Sequence, residues 1–289
     1  NYCMKNLISL IFLIFFVVFF TSCEWLDPDE KLPCYIKIDS VKLNVRPGEG
    51  SASHAINTVW VYVDGQRSGV YELPAKFPLL FEGSNEVIIM PGIKLNGIST
   101  TRAVYPFYDD YKVNINLSPL EEIELVPVYH YVEGIKFHFI EDFETPGSIF
   151  TSHSTSDTFM INTDDATEVF EGNFSGKISL TDDRDTAIIT TINSYKLAPG
   201  LMHFLELNYK STENLTVGIM TYTNTGPLTY PYVILKPTDI WKKIYINLSP
   251  LASRYGQNSN FIIFFATYKT STNSEGKILL DNIKLISSE

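Results

Sequence analysis

Tyr222, Tyr230 and Tyr232 stand within one short stretch beside Asn224 and Thr225, and Gly226, Pro227 and Pro231 break that stretch into a loop. Phenol rings offer flat apolar faces, and the amide and hydroxyl groups next to them offer hydrogen bonds. Sugars need that combination, an apolar platform with a few fixed polar partners. The three tyrosines are therefore the candidate ligand-binding residues. Trp241, in contrast, opens an alternating segment and reads as core.

Catalytic residues are not assigned. Gly172-Asn173-Phe174-Ser175-Gly176 carries its serine one place too late for a nucleophile elbow. His54, His130, His138, His153 and His203 lack the spacing of a shared metal site, and no H-E-x-x-H occurs. Cys34 has no activating neighbour in sequence. Carboxylate pairs of the glycosidase kind meet only in a fold, so that possibility stays open. The acidic groups Asp164-Asp165 and Asp182-Asp183-Arg184-Asp185 read as solvated loops between strands.

The elements that must position these residues are strands. Apolar residues alternate, or run in short blocks rich in Val, Ile, Tyr, Phe and Thr, between Gly, Pro, Asn and Asp. The class is all-β, in two modules. Residues 35–132 hold about seven strands at the spacing of a small β-sandwich. They include 35–41 and 58–63, a tight turn at Asp64-Gly65, 86–90 ending in a turn at Pro91-Gly92, and 113–117. Residues 133–289 hold further strands at 137–144, 172–180, 205–210, 241–248, 261–266 and 276–285. Ile115-Asn116-Leu117-Ser118-Pro119-Leu120 recurs as Ile246-Asn247-Leu248-Ser249-Pro250-Leu251, which reads as two similar strand exits rather than a duplicated domain.

The first 22 residues read as a secretory signal peptide. Met4-Lys5-Asn6 is a short basic start, residues 7–20 are apolar apart from Ser9, and small residues precede Cys23. Phe20-Thr21-Ser22-Cys23 resembles the bacterial lipobox, which implies cleavage before Cys23 and a covalent lipid anchor, palmitate among its chains, on that residue. More than one acyl chain is needed for stable anchoring, and a multiply acylated cysteine supplies them. Residues 23–34 then form an acidic tether. Its Glu24, Asp27, Asp29 and Glu30 resemble the surface-export signal of Bacteroidota lipoproteins, which implies an outer-membrane protein facing the cell exterior. A plain spacer leaves the periplasmic face as the alternative.

The chain has 33 Asp and Glu against 22 Lys and Arg, a net charge of −11. That balance is no electrostatic match for nucleic acid. With Cys3 removed and Cys23 acylated, Cys34 has no disulfide partner.

Two further resemblances concern the modules. Val61-Tyr62-Val63-Asp64-Gly65 with Gly69, Pro74 and Val87-Ile88-Ile89 resembles the PEGA-type surface domain. In the second module, Asp142-Phe143-Glu144, Gly172 to Gly176, Trp241 to Leu248 and Leu280-Asp281-Asn282-Ile283 follow in an order similar to the jelly-roll carbohydrate-binding modules and their galactose-binding-like relatives. That resemblance implies two packed antiparallel sheets. It also implies a structural Ca²⁺ joining the opening and closing strands, held by Glu144 and Asp281, with a backbone carbonyl near Asn173 and Asp142 as a further ligand.

The expected function is a membrane-anchored, non-catalytic protein that binds a glycan or a protein partner. A structural or accessory subunit of an outer-membrane assembly is the alternative. A polysaccharide hydrolase, or an accessory to one, is the third reading, and it rests on fold analogy alone.

Overall fold

The computed structural model describes residues 32–223, 226–255, 260–270, 272 and 275–289. The signal peptide, Cys23, the tether up to residue 31, and Asn224 and Thr225 lie outside the described residues. No helix among the described residues is long and apolar enough to cross a membrane.

The first module packs a five-stranded sheet against two small ones. Thr58–Val63 pairs with Gln66–Glu72 and Gly83–Lys94, and Arg102–Val104 and Tyr111–Leu117 pair with the last of these. Cys34–Ile38 lies between Ala75–Leu79 and Glu122–Glu124, while Lys42–Asn44 pairs with Val128–His130. Alternate residues Val59, Val61, Val63, Val87, Ile89, Ile36 and Phe77 fill the core between them. Cys34 is buried there as a free thiol. Asp64 and Gly65 both take positive φ, 47° and 75°, the conformation a two-residue hairpin of this hand needs.

Pro91-Gly92 is not the turn that the sequence suggests. The strand runs through both residues to Lys94. The Pro91 carbonyl accepts from Tyr105 N–H and that of Gly92 from Asn57 N–H, so the ladder survives without a proline N–H. Glycine is required at 92 by close approach: an added Cβ would stand 2.1 Å from Trp60 Cζ3.

The second module is a jelly-roll sandwich of two six-stranded sheets. One contains Ile135–Glu141, Met160–Thr163, Ser175–Leu180, His203–Ser211, Thr238–Asn247 and Gly276–Ser288. The other contains Phe150–Ser152, Thr186–Thr191, Tyr195–Lys196, Leu215–Thr223, Gly226–Leu235 and Asn260–Tyr268. Leu205, Leu207, Ile244, Ile246, Leu280 and Ile283 of the first sheet meet Val217, Ile219, Ile263 and Phe265 of the second. The two Ser-Pro exits differ. Ser118-Pro119 turns the chain, whereas Ser249-Pro250 opens a short helix, α1, Ser249–Tyr255, where proline's fixed φ suits the first turn.

The two modules share one surface. Phe204, Tyr245 and Ile286, on the outer face of the first jelly-roll sheet, belong to the hydrophobic core of the N-terminal module. Both faces of that sheet are therefore covered. This explains why residues 278–287 of its long closing strand are buried without a break.

Candidate functional site

Strand parity decides what reaches the shared surface. Leu205, Leu207 and Tyr209 point into the jelly-roll core, so Phe204, Glu206 and Asn208 point out toward the N-terminal module. On the neighbouring strand Ile244 and Ile246 point in, which sends Trp241, Lys243 and Tyr245 out. Asn208 stands in register with Lys243, and Glu206 with Tyr245.

A buried charge cluster fixes this junction. Glu206 is fully buried. Its carboxylate accepts from Tyr105 Oη at 2.6 Å and from Tyr131 Oη at 3.0 Å, and Lys243 Nζ lies 3.0 Å away. Lys284 Nζ donates to the Ser51 carbonyl at 2.8 Å and to Tyr131 Oη at 3.2 Å. Burial raises the Glu206 carboxyl, but the Lys243 and Lys284 charges and the phenol hydrogen bonds outweigh it, and its pKa falls below the ordinary value. Burial dominates at Lys284 and pulls its pKa down to about 8. Tyr105, Tyr108 and Tyr131 are pushed well up, first by burial and then by the Glu206 charge. The phenols therefore serve as neutral donors.

The edge of the same sheet is capped by the N-terminal module. Asn96 N–H donates to the Tyr245 carbonyl at 2.9 Å, and Asn247 N–H donates to Asn96 Oδ1 at 2.8 Å. Tyr245 Oη in turn accepts from Ala55 N–H at 3.0 Å. Two loops of the first module thus stand over the Trp241 to Tyr245 segment and leave a cavity of about 550 Å³ between them.

Trp241 and Phe170 form one wall of that cavity, with ring centroids 5.3 Å apart at 55°. Both are half-buried. Asn208 and Lys243 line the cavity, and His54, Asn57, Lys94 and Ser99 come from the opposing loops. Asn208 Nδ2 donates to Ser53 Oγ at 2.9 Å, which orients the amide. Burial, with a smaller push from Lys243, lowers the His54 pKa and keeps the imidazole neutral at pH 7. An aromatic wall facing amide, hydroxyl and ammonium donors is the composition of a site for a small polar ring compound. Another cavity of about 550 Å³ is lined by Lys210, Thr212, Asp239 and Lys277 and has no aromatic side chain in its wall.

The tyrosines named from sequence do not gather into a groove. Tyr222 is exposed at 61 % on its hairpin. Tyr230 turns inward, stacked 3.9 Å from Tyr255 of α1, and both Tyr230 and Tyr232 pack against the jelly-roll core. Trp241, read as core, is instead half-exposed in the cavity. The sequence did contain the signal for it. Ile244 lies three residues on, an odd separation, so Trp241 and Ile244 cannot share a face of one strand.

The residues named for calcium come to one end of the sandwich. Glu144 accepts from Asn173 N–H at 2.6 Å, Phe174 N–H at 2.9 Å and Asn173 Nδ2 at 2.9 Å. Those hydrogen bonds, the one from the Asn173 side chain foremost, hold its pKa down. Asp281 accepts from Ser175 Oγ at 2.6 Å and Asn282 N–H at 2.7 Å. Burial nonetheless lifts its pKa to about 7. Asp142 Oδ1 accepts from Glu144 N–H at 3.2 Å. These carboxylates are satisfied by protein donors, and among the described residues no group of three His, Cys, Asp or Glu side chains forms a metal site.

Fold and site together define a two-module all-β protein with an aromatic-walled cleft at the module junction. No protein-family model matches the chain, and no curated protein matches it. Solved structures similar to it include the family 11 carbohydrate-binding module of Clostridium thermocellum in complex with a β-1,3-1,4-mixed-linked tetrasaccharide. The identity is 18 % and the TM-score 0.36, over 53 % of this chain and 95 % of that one. Another is the CBM22-1–GH10 portion of xylanase 10B of the same organism with xylohexaose, at 11 % identity and TM-score 0.38, over 53 % of this chain and 29 % of that one. A third is TmCBM61 with β-1,4-galactotriose, at 9 % identity and TM-score 0.30, over 47 % and 85 %.

Proposed function

We propose that the protein is a non-catalytic saccharide-binding lipoprotein, anchored in the outer membrane through acylated Cys23 and binding its ligand in the cleft between the two modules. The observation that carries the binding role is Trp241, half-exposed on an edge strand against Phe170, with Asn57, Ser99, Asn208 and Lys243 around it. A pyranose ring stacks on an indole face and meets amide and ammonium donors at its rim. The junction suits this role because Glu206 and its partners hold both walls in place, so little ordering is needed when a ligand enters.

Affinity electrophoresis through gels containing soluble polysaccharides tests the reading. At least one polysaccharide retards the wild type, and Trp241→Ala weakens that binding more than tenfold, about 1.4 kcal/mol, with melting temperature and circular dichroism retained. Binding that survives Trp241→Ala but fails in Tyr222→Ala would move the site to the hairpin.

A second reading, a docking subunit, draws on the other jelly-roll sheet. Its outer face leaves Ile234 at 59 % and Tyr268 at 53 % exposed beside Met220 and Phe264.

A further inference from the structure

The cleft has an unusual charge for this chain. Acidic residues outnumber basic ones by 33 to 22, yet among the described residues no Asp or Glu lines the cavity, and Lys94, Lys242 and Lys243 do. Lys94 has Glu72 behind it, 4.0 Å from its Nζ. Lys242 is exposed and has no ion-pair partner among the described residues. Lys243 shares Glu206 with Lys284, so one buried carboxylate faces two buried ammonium groups and the trio carries one net positive charge. Of the other acids within reach, Glu49 is ion-paired with Arg46 at 2.8 Å, while Glu171, at the mouth of the adjoining hollow, is held by neutral donors, Asn282 Nδ2 at 3.0 Å and Ser51 Oγ.

Lys243 adds an independent observation. Only 2 % of its side chain is exposed. Apart from its ion pair with Glu206, its Nζ has no hydrogen-bond partner among the described residues. That ammonium lies beneath the cavity wall rather than in it, so it acts on a ligand through its charge, and a positive charge in a poorly solvated place favours an anion near it. The exposed Lys242 follows Trp241 directly, about 3.3 Å along the strand, so its flexible side chain reaches an exocyclic group on a ring stacked there.

We propose that the cleft takes an acidic saccharide, a hexuronate whose ring lies on Trp241 and whose carboxylate meets Lys242 at the rim, in the field of the buried Lys243. This rests on the reading of the cleft as a sugar site. Isothermal titration of the full mature protein with oligogalacturonate, oligoalginate and glucurono-xylo-oligosaccharides, each beside its carboxyl-reduced derivative, tests both. At least one uronate binds ten times or more tightly than its reduced form, and the difference shrinks as salt is raised from 50 to 500 mM. Lys242→Gln, an exposed change, weakens uronate binding severalfold and leaves the reduced form unaffected. Lys243→Gln weakens it further, with folding checked by circular dichroism. Equal binding of a uronate and its reduced form, lost in Trp241→Ala, would keep the sugar site and overturn the acidic specificity. No binding by either series, while neutral polysaccharides do bind through Trp241, would overturn it as well. No saccharide binding of any kind would remove the site itself.

Discussion

The jelly roll has two outer faces, and their chemistry is the reverse of simple expectation. One face carries Glu206, Asn208, Lys243 and Lys284, yet every one of them is buried beneath the N-terminal module. The opposite face carries Met220, Phe264 and Ala266, with Ile188 and Ile262 packed around them and Ile234 exposed, and among the described residues no part of the N-terminal module joins that cluster. Burial of charge is tolerable on the first face because its charges are paired: Glu206 with Tyr105 and Tyr131 and Lys284 with Ser51 across the junction, and Lys243 with Glu206 on the face itself. The second face protects its apolar centre locally. The Phe264 ring lies over Gly218, where an added Cβ would come within 2.7 Å of it, and only 2 % of Phe264 is exposed. Which residue is buried therefore follows from which surface finds a partner, not from polarity alone.

The largest effect should come from the charged face. Glu206→Ala leaves the buried Lys243 ammonium and two phenols, Tyr105 and Tyr131, without their shared acceptor and removes the carboxylate charge that faces Lys284, and should lower stability by about 3–5 kcal/mol in chemical denaturation. A loss under 1 kcal/mol would mean that the modules are not locked through this carboxylate.

A smaller, pH-dependent effect belongs to Lys284. Its folded pKa, about 8, lies below the ordinary lysine value of 10.5. Between those two values the unfolded chain holds a proton that the native protein has released, so this group makes stability rise with pH across that window. Glu206 acts at the acid end: its folded pKa is depressed, so its contribution is present above the ordinary glutamate value and is lost as pH falls through the folded one. Wild type compared with Lys284→Met should therefore gain about 2 kcal/mol between pH 7.5 and pH 10. A flat difference would place Lys284 in contact with solvent.

The smallest effect should be on the uncovered face. Ile234→Thr should change stability by no more than about 0.5 kcal/mol. A loss of 2 kcal/mol or more would show that the face is covered in solution, and would favour the docking reading.

Much of this architecture is legible from residue order. The alternation in residues 58–63 and the Asp64-Gly65 pair give a strand and a turn where the structure has them. The run of closing-strand residues from 276 to 285 likewise becomes Gly276–Ser288. What the sequence conceals is long-range partnership. Tyr105 and Glu206 are 101 positions apart, and nothing local to either announces the other. Tyr230 reads as a loop aromatic until Tyr255 stacks on it from α1. Glu144 finds donors at Asn173 and Phe174, and Asp281 one at Ser175, none of them local in sequence. Trp241 is the instructive case, because its parity relative to Ile244 already sets it on the outer face; only the module that completes the cleft was hidden.

The most direct test is a crystal structure of the mature protein soaked with the saccharide that binds it most tightly. A sugar ring stacked on Trp241, between Phe170 and the loops bearing Asn57 and Ser99, with a polar substituent at Lys242, is the expected result. A sugar seated on the Tyr222 hairpin, or on the uncovered face around Phe264, with the module junction empty, would contradict it.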